Sequence, residues 1–456
     1  MDVAESRPAG DLPWGAKISQ DGGAGRTRWR DGSREALKVL HLAASDVSGG
    51  AARAAFRLHQ GLRQLGQESS MLVDYRYSDD PNVLALERSR NLKERLRRRT
   101  RREAIRRSLQ KYAPSRPAGG NYFSDDRSDV GWDLLRQLPD CEIVNLHWVA
   151  GLVDYGSLFK DLPGRKPLVW TVHDTNPFTG GCHYYGPCRR FKDRCGACPE
   201  LGSSADSDLS RAVWQRKKAA FSHVPAGRLH VITPSRWMAG QAGESSLLGH
   251  FPISVIPYGL DTEVFCPRDR TMARDVMGIP RDGRVLLFAA DSIEDHRKGY
   301  KLLGEALAPI PADAGIHLTS VGRNTPALNL RLPYQNLGFF TNDRILSLAY
   351  NAADIYVTPT LDDNLPNTVM EAMACGTPVV AFETGGVPEM VRNGVTGFVV
   401  PAGNTGALRE AILRVLNDDG LRSELSRNCR RIAQEEYGLK LQARRYLSLY
   451  ESITSR

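Results

Sequence analysis

Short blocks of apolar residues alternate with amphipathic stretches from Lys38 onwards. KVLHLA (38–43) predicts a buried strand, and the turn at 45–50 leads into AARAAFRLHQGLRQLG, whose spacing predicts a helix ending near Gly66. Further strands are predicted at SSMLVDY, CEIVNLHW, PLVWTVHD, RLHVITP and ISVIP, several of them separated by helical stretches. Strands that alternate with helices indicate a parallel, doubly wound α/β sheet.

The same alternation restarts after a connection at 257–267. Strands are predicted at RVLLFAAD, IHLTSVG, DIYVTPT and PVVAFE, with helices GYKLLGEALAPI and NDRILSLAYNA among them. Because 456 residues are too many for one core, we predict Rossmann-like domains at 36–257 and 258–435, facing across a ligand-binding cleft. Residues 436–456 predict a helix packing back on the first domain, and residues 1–35, which lack periodicity, predict a flexible leader.

Charge is concentrated in one segment. Residues 88–111 contain twelve Arg or Lys and two Glu, so the net charge of +9 arises almost entirely there. The segment either contacts an anionic membrane surface or forms a solvated, charged helix. Nucleic acid is not an expected partner, because no aromatic residues are interleaved with the charges. With no apolar run near 18 residues and no secretory h-region, we predict a cytoplasmic protein, either free or peripheral at the inner face of the membrane.

The strongest functional signal is DDNLPNTVMEAMACGTPVVAF at 362–382. A buried strand ends in an acidic turn, and Pro366 and Asn367 then begin a helix whose first N–H groups and dipole attract an anionic or hydroxyl-rich ligand. Glu371 lies about one turn into this helix, where its carboxylate can accept hydrogen bonds from a ribose diol. The alternative is that Asp362 and Asp363 only cap the helix.

This segment, read from 350 to 400, resembles glycosyltransferase family 4, retaining enzymes with the GT-B fold. VIPYGLDTEVFCP, HRKGYKLLGEAL and SGGAARAAFRLHQGL extend the resemblance from about residue 38 to the end of the chain. It implies a retaining hexosyltransferase that moves sugar from a nucleotide diphosphate donor to a saccharide or lipid-linked oligosaccharide acceptor, in cell-surface polysaccharide biosynthesis. UDP-sugar is favoured over GDP-sugar, and the resemblance implies no metal for catalysis.

The resemblance also implies roles for residues in the second domain. Asp363, where the family has Glu, contacts the transferred sugar, and Glu371 binds the nucleotide ribose. Lys298 holds the diphosphate, and Arg297 replaces a family arginine that is missing after the preceding strand, although adjacent side chains usually point to opposite sides. The nucleotide-binding segment also includes Asn364 and Leu365.

Four positions in the first domain complete the expected cleft. Gly49 and Gly50 match a family glycine loop, where a side chain would obstruct a phosphate or sugar. His173 matches a family histidine that faces the donor sugar. His147, at another strand end, is either a second cleft residue or a structural histidine.

Four cysteines, Cys182, Cys188, Cys195 and Cys198, follow the His173 strand with the spacing C-x5-C-x6-C-x2-C. In a reducing compartment such a cluster predicts a structural zinc site, while an iron–sulfur cluster or four unligated thiols remain open. Three other functions remain open beside a glycosyltransferase. They are a GT-B epimerase, a GT-B phosphorylase, and a catalytically degenerate metal-containing binding protein.

Overall fold

The computed structural model describes residues 36–117, 119–162, 166–323 and 330–454. The leader predicted at 1–35 lies outside the described residues. Two parallel sheets account for the strands within the described ranges, and both match the predicted α/β class. Helices cover the faces of these sheets, which explains why the strands read as nearly continuous apolar runs rather than as alternating ones.

The first sheet has the order β3-β2-β1-β4-β5-β6-β7. Its strands are β1 (Lys38–Ser45), β2 (Glu68–Tyr75), β3 (Val83–Ala85), β4 (Ile143–Leu146), β5 (Leu168–Thr171), β6 (Leu229–Thr233) and β7 (Ile253–Val255). The helices of this domain are α1 (Gly50–Gln64), α2 (Leu92–Gln110), α3 (Trp132–Arg136), α4 (Tyr155–Asp161), α5 (Leu209–Phe221) and α6 (Arg236–Gly243).

The second sheet has the order β10-β9-β8-β11-β12-β13. Its strands are β8 (Arg284–Ser292), β9 (Ile316–Arg323), β10 (Tyr334–Asn336), β11 (Ile355–Thr358), β12 (Val379–Phe382) and β13 (Gly397–Val400). The helices that follow β7 are α7 (Arg270–Met277), α8 (Tyr300–Leu307), α9 (Asp343–Ala352), α10 (Asn367–Ala374), α11 (Val387–Met390), α12 (Thr405–Asn417), α13 (Asp419–Glu436) and α14 (Leu439–Thr454).

The last helix, α14, leaves the second domain and lies against α1 of the first. Tyr446 and Tyr450 are fully buried in a cluster that includes Val39 of β1 and Leu58 of α1. The Tyr450 hydroxyl accepts a hydrogen bond from Asn145 Nδ2 at 2.8 Å, so even its polar end is satisfied inside the domain. The chain is thereby tied across both domains at two places, the 257–267 connection and α14.

Candidate active site

A cleft of about 1350 Å³ opens at the carboxyl ends of both sheets. Ligands of open parallel sheets bind at this edge, where the loops after the strands meet. The cleft is lined by all nine residues that the sequence predicts for the donor site, namely Gly49, Gly50, His173, Arg297, Lys298, Asp363, Asn364, Leu365 and Glu371. Residues far apart in the chain are thus brought to one site.

Glu371 occupies the helix α10 and is only 2% exposed. Its Oε1 accepts a hydrogen bond from Arg57 Nη2 at 2.7 Å, and its Oε2 accepts one from the Tyr350 hydroxyl at 2.9 Å. These two donors hold the carboxylate in one orientation. Because each carboxylate oxygen has two lone-pair positions, the group retains the capacity to accept two further hydrogen bonds from a ligand.

Arg57 lies on α1 in the first domain and joins it to the second. Its Nη2 also donates to Asp343 Oδ2 at 3.1 Å, and Arg53, one turn earlier on α1, binds Asp343 Oδ1 at 3.3 Å. Burial opposes the charge of Arg57, but Glu371 and Asp343 outweigh it and raise the pKa of the guanidinium. Arg57 was not predicted from the sequence. The available signal was an arginine three residues after the buried Ala54, on the apolar face of α1.

Asp363 lies between two cations after β11. Its Oδ2 is 2.5 Å from Lys298 Nζ and 3.5 Å from Arg297 Nη1. The expectation that Arg297 and Lys298 point to opposite sides is wrong, because both belong to one 3₁₀ turn (His296–Lys298) rather than to extended backbone. Gly299 ends this turn with φ of 72°, and a Cβ there would lie 1.9 Å from the Pro359 carbonyl oxygen, so only glycine lets the turn pack against the end of β11.

The two neighbouring carboxylates of the acidic turn differ in their affinity for protons. Burial opposes the ionisation of Asp363, yet the charges of Lys298 and Arg297 prevail and lower its pKa. Burial raises the pKa of Asp362 to about 6, with Arg297 acting in the opposite direction. Burial, together with repulsion from Arg297, lowers the pKa of Lys298. Near neutral pH this turn therefore holds one firmly ionised carboxylate and one that titrates.

Asn364 and Leu365 have structural contacts as well as cleft positions. Asn364 Oδ1 accepts a hydrogen bond from Ser235 Oγ at 2.6 Å, and its Nδ2 donates to the His173 carbonyl oxygen at 3.2 Å. Leu365 is 4% exposed and packs in the core of the second domain. The backbone of the acidic turn is consequently fixed against the first domain, and the Asn364 side chain is committed to that contact.

The glycine loop lies opposite α10. Gly49 has φ of 89°, and a Cβ there would meet no atom within 4 Å, so the left-handed backbone rather than crowding by the protein requires glycine. The Gly50 carbonyl oxygen accepts a hydrogen bond from Asn367 Nδ2 at 2.9 Å. The open space above Gly49 belongs to the cleft.

Both ring nitrogens of His173 are occupied. Its Nδ1 is 2.6 Å from the Tyr258 hydroxyl and its Nε2 is 3.0 Å from Nδ1 of His147. Burial lowers the pKa of His173 to about 4, which keeps the ring neutral. His147 does not line the main cleft and is 2% exposed, so it supports His173 from behind. Tyr258, which does line the cleft, was not predicted.

A second group of polar side chains lines the first-domain wall of the cleft. His183 Nδ1 is 2.6 Å from Asp174 Oδ2, and its Nε2 is 2.8 Å from Ser124 Oγ. Asp174 also accepts a hydrogen bond from Trp148 Nε1 at 2.7 Å. The rings of Trp148 and Tyr122 border His183, and Tyr122 is largely exposed. Aromatic faces beside an oriented imidazole suit the binding of a polyhydroxyl compound.

The four cysteines do not converge. Cys182 Sγ is 3.5 Å from Cys198 Sγ, whereas Cys195 Sγ accepts a hydrogen bond from the Gly180 N–H at 3.1 Å. Among the described residues, no three His, Cys, Asp or Glu side chains are grouped so that they could hold a metal ion. Cys182 and Cys198 instead pack with Phe123 in a small apolar cluster. The predicted zinc site is not confirmed, and the residues present do not fit a four-thiolate centre.

The basic segment forms α2, and much of its charge is neutralised within the first domain. Arg98, Arg101 and Arg102 pair with Asp133, Asp154 and Asp129 respectively. Leu92 and Leu96 are 77% and 61% exposed. Within the ranges that the structure describes, no helix has both the length and the apolar character needed to cross a bilayer.

Residues 283–418 match the model of the family described as glycosyl transferases group 1. Curated relatives named D-inositol 3-phosphate glycosyltransferase share 34% identity over 194 residues in Actinosynnema mirum and 31% over 222 residues in Xylanimonas cellulosilytica. These alignments cover 39% and 45% of this chain and 46% and 52% of the relatives. The chain thus spans about half the length of the curated relatives it matches. The predicted resemblance to glycosyltransferases of this family is confirmed.

Solved structures extend the similarity to nearly the whole chain at the level of fold. Sucrose-phosphate synthase from Thermosynechococcus elongatus superimposes with a TM-score of 0.64 at 19% identity, covering 92% of this chain and 99% of that protein. HepE from Anabaena, in complex with UDP-glucose, gives a TM-score of 0.62 at 16% identity, covering 91% and 100%. The predicted GT-B fold is confirmed.

Proposed function

Because residues 283–418 form a glycosyl transferases group 1 domain within a GT-B fold, we propose that the protein is a retaining glycosyltransferase of the hexosyltransferase class. It moves sugar from a nucleotide diphosphate donor to a saccharide or lipid-linked saccharide in cell-surface polysaccharide biosynthesis. The observation that carries the proposal is that Lys298, Arg297, Asp363 and Glu371 all line the same cleft, with Lys298 paired to Asp363. Cations, a sugar-facing carboxylate and a ribose-facing carboxylate are the groups that such a donor requires.

Lys298 and Arg297 bind the diphosphate in this proposal. Negative charge builds up on the diphosphate as the glycosidic bond breaks, and cations held in place beforehand stabilise it without reorganisation. Asp363 now neutralises both cations. A bound diphosphate supplies that negative charge instead, so Asp363 becomes available to accept hydrogen bonds from the hydroxyls of the transferred sugar.

Glu371 binds the ribose. Arg57 and Tyr350 orient its carboxylate, whose two remaining lone-pair positions can accept hydrogen bonds from both hydroxyls of a vicinal diol. The departing diphosphate can accept the acceptor's proton on the same face of the sugar, so the reaction needs no side-chain base in this wall of the cleft. The acceptor lies against the opposite wall, beside Trp148, Tyr122 and the Asp174–His183 pair.

We propose UDP as the nucleotide of the donor, since HepE has been solved with UDP-glucose. A phosphorylated polyol belongs in the acceptor panel beside saccharides, because the curated relatives are named for D-inositol 3-phosphate. The test is transfer from a set of UDP- and GDP-sugars to these acceptors, followed by mass spectrometry and by NMR of the product anomer. We expect transfer with retention, abolished in Glu371→Ala with its fold intact.

Other results in that assay would replace the proposal. Epimerised donor without acceptor consumption identifies an epimerase, and phosphate-dependent cleavage of a glycan identifies a phosphorylase. A folded protein that binds a sugar nucleotide but transfers nothing to any acceptor identifies a binding protein with a degenerate transferase fold.

We also propose contact with an anionic membrane through α2. The exposed Leu92 and Leu96 are one helical turn apart, and Lys93, Arg95 and Arg99 around them are exposed. Co-flotation with vesicles containing phosphatidylglycerol, absent with neutral phosphatidylcholine vesicles, is the expected result. No recovery with either vesicle type would leave α2 as a solvated helix, and equal recovery with both would exclude a preference for anionic lipid.

A further inference from the structure

A row of side chains, joined by five hydrogen bonds and one longer ion-pair contact at its Asp80 end, crosses the first domain and ends in the cleft; we call it the histidine row. Its members, in order, are Asp80, His59, Ser69, His41, His147, His173 and Tyr258. The six successive separations are 3.5 Å (His59 Nε2 to Asp80 Oδ2), 2.8 Å (Ser69 Oγ to His59 Nδ1), 3.1 Å (His41 Nε2 to Ser69 Oγ), 2.9 Å (His147 Nε2 to His41 Nδ1), 3.0 Å (His173 Nε2 to His147 Nδ1) and 2.6 Å (Tyr258 hydroxyl to His173 Nδ1).

The topology of the sheet creates this row. Ser69, His41, His147 and His173 lie on, or just after, β2, β1, β4 and β5, which are consecutive neighbours in the first sheet. His59 reaches the row from α1. The four imidazoles are at most 9% exposed, so their ring nitrogens bond to other members of the row rather than to bulk water, except Nε2 of His59, which has no hydrogen-bond partner among the described residues.

Each histidine of the row is neutral. Burial lowers the pKa of His59 and of His173 to about 4, and lowers that of His41 and His147 far below the ordinary value. Burial also raises the pKa of Tyr258, which therefore keeps its proton. A neutral imidazole has one N–H donor and one acceptor nitrogen, so choosing the tautomer of one ring decides the next.

The end of the row at Asp80 makes that choice. Asp80 also pairs with Arg63 at 3.5 Å, and a carboxylate in an ion pair accepts hydrogen bonds without donating any. The Asp80 oxygen, 3.5 Å from His59 Nε2, makes no hydrogen bond with it but favours an N–H over a lone pair on that nitrogen, so His59 accepts from Ser69 at Nδ1. Ser69 accepts in turn from His41 Nε2, and the same assignment passes unchanged through His147 and His173.

We propose that Asp80 fixes the direction of the histidine row, so that all four histidines are Nε2–H tautomers and Tyr258 donates to His173. The lone pairs of the Tyr258 oxygen then face the cleft, where Tyr258 acts as an obligate hydrogen-bond acceptor for a ligand hydroxyl. Asp80 is a positioning residue that acts through the charge of its carboxylate on His59 and then through five hydrogen bonds. That the ligand is a sugar nucleotide rests on the proposed function; the tautomers do not.

The tautomers can be read directly in the full-length protein labelled with ¹⁵N-histidine. Long-range ¹H–¹⁵N correlation spectra distinguish protonated from unprotonated ring nitrogens, and single His→Gln variants assign the signals. We expect His41, His59, His147 and His173 all to carry the proton on Nε2 at pH 7.5. One Nδ1–H tautomer or one doubly protonated ring among them would overturn the proposal.

Asp80→Asn tests the role of the anchor, because an amide can donate to His59 as well as accept. We expect mixed tautomers at His147 and His173, together with a rise of about fivefold in KM for UDP-glucose, the effect of one net hydrogen bond. Asp140→Asn, a change at an exposed aspartate outside the row, should alter neither. Unchanged tautomers in Asp80→Asn would refute the directing role.

Ser69→Ala breaks the row at its middle link and provides a second route if Asp80→Asn fails to fold. It should free the tautomers of His41, His147 and His173 from the influence of Asp80, and unchanged spectra would again refute the proposal. If the wild-type row is uniformly Nε2–H but no sugar nucleotide binds, the proposed function fails and the assignment of the row stands.

Discussion

The ion pair between Arg57 and Glu371 predicts an asymmetric response to mutation. Arg57→Met leaves the Glu371 carboxylate, 3% exposed at its side chain, with Tyr350 as its remaining hydrogen-bond partner. Breaking a buried pair in this way costs about 3–5 kcal/mol of unfolding free energy. Glu371→Gln is milder, because the amide oxygen still accepts from Tyr350 and Arg57 keeps Asp343. That loss should be about 1–3 kcal/mol.

Urea unfolding followed by circular dichroism measures both variants, and Arg53→Met is a matched control. Arg53 lies one turn from Arg57 on α1 and binds Asp343 and the Phe340 carbonyl oxygen, but not Glu371. With its side chain 19% exposed, its removal should cost less than that of Arg57. The double variant Arg57→Met/Glu371→Gln should be more stable than the sum of its parts predicts, because it no longer buries an uncompensated carboxylate.

The same variants separate stability from ligand binding. Glu371→Gln should weaken the binding of UDP, measured by calorimetry, by about tenfold or more, since a ribose hydroxyl donates more strongly to a carboxylate than to an amide. Arg53→Met should bind UDP normally. The reasoning would be refuted if Glu371→Gln destabilised the protein as much as Arg57→Met, or if Arg57→Met cost no more than Arg53→Met.

Three further predictions concern the acidic turn and the cysteines. Lys298→Met should lower kcat by about 10²–10³-fold with little change in unfolding midpoint, and unaltered turnover would remove Lys298 from the diphosphate site. Asp362 has a folded-state pKa of about 6, above its ordinary value, so its contribution to stability is present at low pH and is lost as the pH rises through 6. Asp362→Asn should therefore raise the free energy of unfolding above that of the wild type by about 1–3 kcal/mol more at pH 8 than at pH 4, measured by urea titration. The same difference between variant and wild type at both pH values would contradict the assignment. Purified protein should contain less than stoichiometric zinc and iron by mass spectrometry; stoichiometric metal that is lost in Cys198→Ser would restore the predicted centre.

The parts of the site that depend on local sequence could be predicted. A buried apolar run followed by an acidic turn and a proline-initiated helix places Asp363 and Glu371 at the carboxyl edge of a sheet in any parallel α/β domain. Lys298 precedes Gly299, and a glycine at the start of a helix is typical of a tight turn with positive φ. The strands β3, β10 and β13 were not predicted, because three or four residues are too few to establish a period. The equally short β7 was predicted only because it lies in the apolar run ISVIP.

Long-range partners could not be predicted in this way. Arg57 and Glu371 are 314 positions apart, and no spacing rule connects them. His41 and Asn145 are polar residues within apolar strands, which signals a buried hydrogen-bond network but not its partners. The cysteines illustrate the opposite case, in which a local pattern is not matched by the packing, and the predicted zinc site stays unconfirmed. Their spacing suggested a site, but the structure brings Cys182 Sγ close to Cys198 Sγ without grouping three of the described cysteines around one point.

The acidic turn and the histidine row meet at one residue. Asn364 donates to the carbonyl oxygen of His173, while the ring of His173 holds Tyr258 at the cleft. Asp363, one residue before Asn364, accepts a hydrogen bond from Lys298. Its side chain is one methylene shorter than the glutamate that glycosyltransferase family 4 has at this position. Because the turn cannot shift without moving Asn364, a displaced His173 would also move the carboxylate proposed to face the transferred sugar. We therefore propose that the acidic turn of the second domain and the buried row of the first set selectivity for that sugar together.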